Sequence, residues 1–282
     1  MDIFVTGASG YIGSALSRTL IARGHRVRGL ARTPLAEAVV RGHGAEPVRA
    51  SLTDLDALAR AAAEGDGVVH TAATETADRA EVDRAAVTAM LGAMAGGVFI
   101  TTTGAPRTRS SRTPVTEDDT APADGPLAWL AEAEARVLDS RVRGVVVRPP
   151  MVYGDGGGPV HRLVAQAAAD GVARYIGDGE NRWSTVHVRD LALAYARLLE
   201  SPATGAFHVA DGHLSLVDLM TAVGAAAAVP VAAWSLDEAI AAHGWGASFL
   251  AADAVLDTTR IQAAGWSPAI GRGIPDDLMS TA

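Results

Sequence analysis

Hydrophobic and polar positions change period repeatedly along the first half of the chain. Short apolar or β-branched runs at 3–5, 26–30, 46–49, 67–70, 98–101 and 144–148 read as strands. Longer stretches between them, at 14–23, 34–41, 80–95 and 127–140, read as helices. In the third of these, Val82, Ala86, Met90 and Ala93 give an apolar face near helical period. Thr53 is placed to cap a further helix through Ala63, with Asp54 and Asp56 in its first turn, where carboxylates meet the positive end of the helix dipole. Strands alternating with helices predict a parallel sheet covered on both faces. Right-handed crossovers make that sheet doubly wound, with ligands at the carboxyl ends of its strands. Beyond Pro149 the alternation loosens: helices are expected at 160–170, 191–200, 214–224 and 236–243, and strands at 185–188 and 207–210.

The first strand runs straight into Thr6-Gly7-Ala8-Ser9-Gly10-Tyr11-Ile12-Gly13, and a helix follows. Backbone N–H groups and the helix dipole converge at such a junction, where a pyrophosphate can sit. Gly7 permits the tight turn, Gly10 the approach of a cofactor, and Gly13 the packing of helix on strand. At the end of the second strand a carboxylate would bind a ribose 2′-hydroxyl, and an arginine would accommodate a 2′-phosphate. The strand reads Val27-Arg28-Gly29-Leu30-Ala31-Arg32-Thr33, so Arg32 stands at the deciding point. A guanidinium grips phosphate through two parallel hydrogen bonds, which favours NADP(H) over NAD(H). The alternative for Arg32 is a solvated surface arginine.

These readings give an α/β chain. A Rossmann domain that binds NADP(H) is expected over 1–150. A smaller C-terminal substrate-binding subdomain is expected over 151–282, part of it returning to the main sheet around 185–210. A hydrophobic content of 49% with 20% charged residues fits a sizeable core. The net charge of −8 and the lack of a basic run argue against nucleic acid or an anionic membrane as partner. With no cysteine, disulfides, thiolate catalysis and thiolate-bound metals are excluded. No metal site is expected, since the histidines lack metal-binding spacing. The first strand leaves no room for a signal peptide, and the alanine-rich stretch 222–233 contains Pro230 and is too short to span a bilayer. The expected location is cytoplasmic and the expected partner a small-molecule substrate, with a homodimer as an assembly to test for.

The motifs together resemble the short-chain dehydrogenase/reductase superfamily, in its NAD-dependent epimerase/dehydratase branch. The loop matches the GxxGxxG form of extended and atypical members, which implies cofactor contacts from Gly7, Ser9, Gly10, Tyr11, Ile12 and Gly13. Ser51-Leu52 stands where the family places an Asp-Leu pair beside adenine. Asp66-Gly67-Val68-Val69-His70-Thr71-Ala72-Ala73 resembles the strand-four signature, so Thr71, Ala72 and Ala73 would line the cofactor. Thr101 would do so at the end of strand five, and Pro149 and Met151, within Arg148-Pro149-Pro150-Met151-Val152-Tyr153-Gly154, near the nicotinamide. Val186-His187-Val188-Arg189-Asp190 resembles a later family motif. The segments 177–183 and 243–245 resemble an atypical subgroup, and imply that Asn181, Arg182, Trp183 and Trp245 face a substrate cleft. The alternative for the tryptophans is packing.

Family members carry a Tyr-x-x-x-Lys pair whose phenol exchanges a proton with the substrate. Here the resemblance puts Pro126 at the tyrosine and Leu130 at the lysine, so that acid is absent. Thr103 falls at the family's serine, with Thr102 beside it; three threonines at a strand end are also simply good strand formers. Asp83 falls where extended members have asparagine, and could hold a water or a proton, or be a surface aspartate. Tyr153 is the best-placed phenol near the expected nicotinamide, though in similar proteins it is more often structural. His70 and His187 could join a relay, but lone histidines on strands more often belong to the core. The expected activity is NADP(H)-dependent reduction or oxidation of a small molecule's carbonyl or imine. A non-redox cyclase, isomerase or epimerase, and an NADP-sensing regulator, are the alternatives.

Overall fold

The computed structural model describes residues 1–104, 111–119, 127–244, 247 and 251–280. Seven of its strands are β1 (Asp2–Thr6), β2 (Arg26–Ala31), β3 (Glu46–Arg49), β4 (Gly67–His70), β5 (Val98–Thr102), β7 (Arg143–Arg148) and β11 (Gly205–His208); β6 (Ser111–Val115) lies elsewhere. The seven form one parallel sheet in the order β3-β2-β1-β4-β5-β7-β11. This is the doubly wound Rossmann-like α/β fold. Side chains alternate across the strands, so each sheet face has its own core. On one face Ile3, Val5, Ile100 and Val147 pack with Leu16 and Leu20 of α1 (Tyr11–Ala22) and with Leu191 and Leu198 further along the chain. On the other, Phe4, Val68 and Phe99 pack with Leu58 of α3 (Leu55–Ala63), Met90 of α4 (Arg79–Ala93) and Val137 of α5 (Trp129–Leu138). Each such fully buried side chain contributes roughly 1.5–3 kcal/mol of transfer free energy.

Local chemistry sets the helix starts. Thr33 caps α2 (Pro34–Gly42) by accepting from the Ala36 N–H, with Pro34 supplying a preset φ at the first helical position. The cap of α3 is Asp54, not Thr53: the Asp54 carboxylate accepts from the Ala57 N–H at 3.2 Å. Thr53 is taken by a local turn with Ser51, their hydroxyls 2.8 Å apart.

After β7 the chain builds a second layer. β8 (Met151–Tyr153) pairs with β10 (Arg182–His187), and β10 also joins β12 (Gly212–Ser215) and β14 (Ala254–Leu256), which pairs with β6. β9 (Ala173–Ile176) and β13 (Val231–Trp234) form a separate pair. Around these lie α6 (Gly158–Asp170), α8 (Leu216–Ala227) and α9 (Leu236–His243), the last opened by a capping box between Ser235 and Glu238. Of the stretch 185–210, α7 (Val188–Glu200) packs under the main sheet and β11 extends it, whereas β10 belongs to the second sheet. Two short helices, α10 (Thr259–Ala263) and α11 (Ile274–Ser280), close the described chain. Among the described residues no helix is long and apolar enough to cross a membrane.

The C-terminal segment is pinned by Asp190. Its carboxylate is fully buried and accepts from the N–H groups of Ala269 and Ile270, at 2.8 and 3.0 Å, while its carbonyl accepts from the Trp266 indole. Asp190→Ala removes the charged acceptor of the Ala269 and Ile270 N–H groups and leaves the Trp266 bond to the main chain in place, so unfolding in urea should show a loss of about 2 kcal/mol. An Asp190→Ala protein as stable as the parent would contradict this clamp.

Candidate active site

Parallel strands bring their carboxyl ends to one edge of the sheet. Residue registers Thr6↔His70, His70↔Thr101 and Thr102↔Val147 set β1, β4, β5 and β7 side by side there. The glycine loop crosses this edge. Gly7 has φ +73°, and a Cβ on it would meet the Thr71 hydroxyl at 2.8 Å and the Ala72 nitrogen at 2.9 Å. A Cβ on Gly13 would collide with the Gly7 carbonyl. The turn closes through the Gly10 N–H, which donates to the Gly7 carbonyl at 2.8 Å. No side chain caps α1, whose N-cap is Gly10, so its first N–H groups are left for a ligand at a turn where Gly7, Gly10 and Gly13 carry no Cβ. The donor set fits a pyrophosphate. Ser9 lies in the same loop and Tyr11 and Ile12 open α1, all three half-buried.

Two threonines brace the cradle. Thr71 donates to the Thr6 carbonyl at 2.8 Å. The Thr6 hydroxyl accepts from the Ala72 N–H and lies 2.8 Å from His70 Nδ1; His70 Nε2 lies 2.9 Å from Asp83. All these groups are satisfied if Thr6 donates to Nδ1 and the Nε2 proton goes to Asp83, a tautomer assigned from the network. Asp83 therefore orients a buried histidine that supports the cradle, instead of holding a water in the open. Ala73 follows this brace, and Ser51 and Leu52 stand at the neighbouring strand ends, Leu52 packed on the core.

The arginines of strand β2 divide sharply. Arg26 pairs with Asp2 and Glu46, and Arg28 with Asp2 and Glu64. Arg32, one residue past the strand, is exposed and has no ion pair or hydrogen bond among the described residues. It stands at the same sheet edge as the glycine loop.

The end of β5 is more engaged than its sequence suggests. Thr101 is buried. The Thr102 hydroxyl lies 2.6 Å from that of Tyr195, a fully buried residue of α7. Thr103 donates at 2.7 Å to Glu134 of α5. Glu134 is itself buried and holds Arg148, at the end of β7, through two hydrogen bonds of 2.9 and 2.6 Å. A third guanidinium nitrogen donates to the Glu117 carbonyl, and the Glu117 carboxylate accepts from the His208 N–H at the end of β11. Glu134, Arg148 and Tyr195 were missed as site residues. Arg148 opens the family-like segment 148–154; the sequence reading carried no signal for Glu134 or Tyr195. Leu130, at the lysine place, is a buried residue of α5; Pro126 lies outside the described residues.

Tyr153 is not available to a substrate. It is 1% exposed, donates to Asp211 at 2.9 Å and accepts from the Gly273 N–H at 3.1 Å. Burial, then the Asp211 carboxylate, pushes its pKa up, and its ring meets that of His187 edge-on at 5.2 Å. The hydroxyl is fully used in joining β8 to the C-terminal segment. His187 likewise belongs to the core. Pro149 is buried and Met151 half-buried at the turn into β8. The three substrate candidates at the start of β10 are also committed: Asn181, just before the strand, and the Trp183 indole both donate to the Ala252 carbonyl, and Arg182 pairs with Asp253 at 3.2 Å. They fasten the strand that ends at Leu256. The face of Trp183 still lines a cavity of about 450 Å³ with Leu163, Ile176, Leu219, Met220 and Trp234. Trp245 lies outside the described residues. Among the described residues no cluster of metal-ligating side chains occurs.

Comparison with known proteins identifies this arrangement. The model of the NAD dependent epimerase/dehydratase family matches residues 3–96 and 128–210. The chain belongs to that family. An uncharacterised protein of Saccharomyces cerevisiae is 33% identical over 287 residues, covering 95% of each chain. A 2-alkyl-3-oxoalkanoate reductase of Stenotrophomonas maltophilia is 32% identical over 227 residues, covering 73% of this chain and 67% of the relative. The fold matches that of human epimerase family protein SDR39U1, solved with NADPH, with a TM-score of 0.77, 21% identity and coverage of 99% and 98%. This epimerase/dehydratase-family protein is an NAD(P)-dependent oxidoreductase of the epimerase/reductase type, with a nicotinamide dinucleotide as its cofactor.

The Arg148 hub makes a pH prediction. Burial, then the nearby Arg148 charge, pushes the His208 imidazole down to about 4. An unfolded histidine titrates near 6.5. The folded chain therefore resists a proton that the unfolded chain accepts, and this contribution to stability is full above about pH 6.5 and is lost as pH falls toward 4. Urea midpoints measured across that window should fall in the parent protein and fall less in His208→Gln.

Proposed function

We propose that this chain uses NADP(H) to reduce or oxidise a carbonyl or imine of a small molecule. The observation that carries the cofactor preference is Arg32, exposed and without an ion partner at the sheet edge that holds the glycine cradle. Its neighbours Arg26 and Arg28 are spent on carboxylates, so a free guanidinium at this point is set apart from the rest of the strand. A ribose 2′-phosphate is the ligand group that a guanidinium there would bind, through paired charge-assisted hydrogen bonds. When bound, the reduced nicotinamide supplies hydride to an electrophilic carbon.

The chain's own residues have more limited tasks. The glycine loop and the start of α1 bind the pyrophosphate, Thr6, Thr71 and His70 brace that loop, and Ser51, Leu52, Ala72, Ala73, Pro149 and Met151 border the rest of the cofactor. The threonines closing β5 meet the reacting oxygen. Neither is acidic enough to act as the family's phenol does. The proton then comes from water or from the substrate itself, which suits an activated carbonyl better than an unactivated one. Similarity to a reductase of 3-oxoalkanoates supports such a substrate class. A second reading keeps the cofactor but not the net redox change: Leu130, buried where the family lysine stands, removes the charge that activates the usual acid.

Titration of the purified chain by cofactor fluorescence tests the cofactor reading. NADPH should bind at least about tenfold tighter than NADH, and Arg32→Ala should remove most of that difference by weakening NADPH alone, since a charge-assisted hydrogen bond is worth about 1.5–3 kcal/mol. Equal affinities in the parent chain would exclude the role given to Arg32.

A further inference from the structure

Thr102 and Thr103 are adjacent, but their hydroxyls are bound with opposite polarity. Thr103 faces Glu134, whose carboxylate takes two N–H groups of Arg148 and so is an acceptor only; Thr103 must donate inward. Thr102 faces the hydroxyl of Tyr195. Tyr195 is fully buried, and among the described residues Thr102 is its hydrogen-bond partner. If Thr102 donated to it, the phenolic proton would be buried with no acceptor, a costly arrangement. Tyr195 therefore donates to Thr102. The Thr102 proton is then left without an acceptor among the described residues, on a half-buried side chain at the carboxyl end of β5.

We propose that Thr102, and not Thr103, donates the hydrogen bond to the substrate oxygen, and that Tyr195 is the positioning residue that fixes this polarity from behind. This rests on the carbonyl reading given above, and it reverses the roles that resemblance implies for the two threonines. Thr103, its proton held by Glu134, presents lone pairs and serves as an acceptor. Tyr195 is not a source of the transferred proton: burial raises its pKa, and giving up the proton would leave a buried phenolate. No bond is made or broken at either residue; Thr102 polarises the oxygen, and the proton that completes the alcohol comes from solvent.

Two readouts on the full chain test this. With NADPH and para-nitrobenzaldehyde, followed by NADPH absorbance, Thr102→Val should lower kcat by about 100-fold, the usual loss for one preorganised donor. Tyr195→Phe should lower kcat roughly tenfold with KM unchanged, and Thr102→Ser should keep most of the activity. A larger kcat loss in Thr103→Val than in Thr102→Val would overturn the proposal. A parent chain that leaves NADPH unconsumed counts against the carbonyl reading and not against the polarity, which is then read by NMR with Cζ-labelled tyrosine. The resonance of Tyr195, identified by its loss in Tyr195→Phe, should report a slowly exchanging phenolic proton in the parent and in Thr102→Ser, and a faster one in Thr102→Val. Equal exchange in parent and Thr102→Val overturns the proposal.

Discussion

The buried pair of Glu134 and Arg148 is where most parts of the candidate site meet. Arg148 ends β7, Glu134 rises from α5, Thr103 follows β5, and Glu117 connects the group to β6 and to the end of β11. Burying two charges costs several kcal/mol each, and their attraction offsets this only when every donor and acceptor is placed. Here the carboxylate takes both a two-pronged guanidinium and a hydroxyl, and a third guanidinium nitrogen finds a carbonyl. Such a pair adds little net stability against an apolar substitute. What it does is fix the direction of one hydroxyl and the spacing of three strand ends, since no member can move without stranding a charge.

The family's proton chemistry relies on a lysine that this chain replaces with Leu130, a buried side chain of α5. A leucine there is consistent with the rest of the layer: α5 packs its apolar face through Leu130, Ala133 and Val137. The loss is therefore absorbed into packing. The polar groups that remain near the strand end are neutral hydroxyls backed by deeply buried partners. They can hold and polarise an oxygen. They cannot supply a mobile proton as an activated phenol does.

How far the sequence could be read depends on how local each signal is. The glycine loop is a contiguous string whose backbone demands are visible in Gly7 and Gly13, and the alternation of strand and helix up to Arg148 rests on runs long enough to show a period. Three-residue strands such as Met151–Tyr153 and Ala254–Leu256 show none, and they pair with partners far away in the chain. The cap of α3 was misread because Thr53 and Asp54 are both good caps, and only the competing turn with Ser51 decides between them. The same limit explains Tyr153, Arg182 and Asp83. Each has the right chemistry for a site and the right place in the chain, but Asp211, Asp253 and His70 claim them first, and those pairings arise only once the fold is formed.

Tyr11 ties the glycine loop to the second half of the chain. Its hydroxyl donates to the Gly154 carbonyl at 2.7 Å, and its ring lies so close to Gly157 and Gly158 that a Cβ on either would press into it. The phosphate loop and the segment leading into α6 thus share one latch. A rigid-body swing of the C-terminal half, of the kind that would open a cleft for a bulky substrate, would have to break this bond or pivot about it. The Tyr11 side chain therefore ties the position of the glycine loop to that of residues 154–158, and shifting one without the other costs the bond.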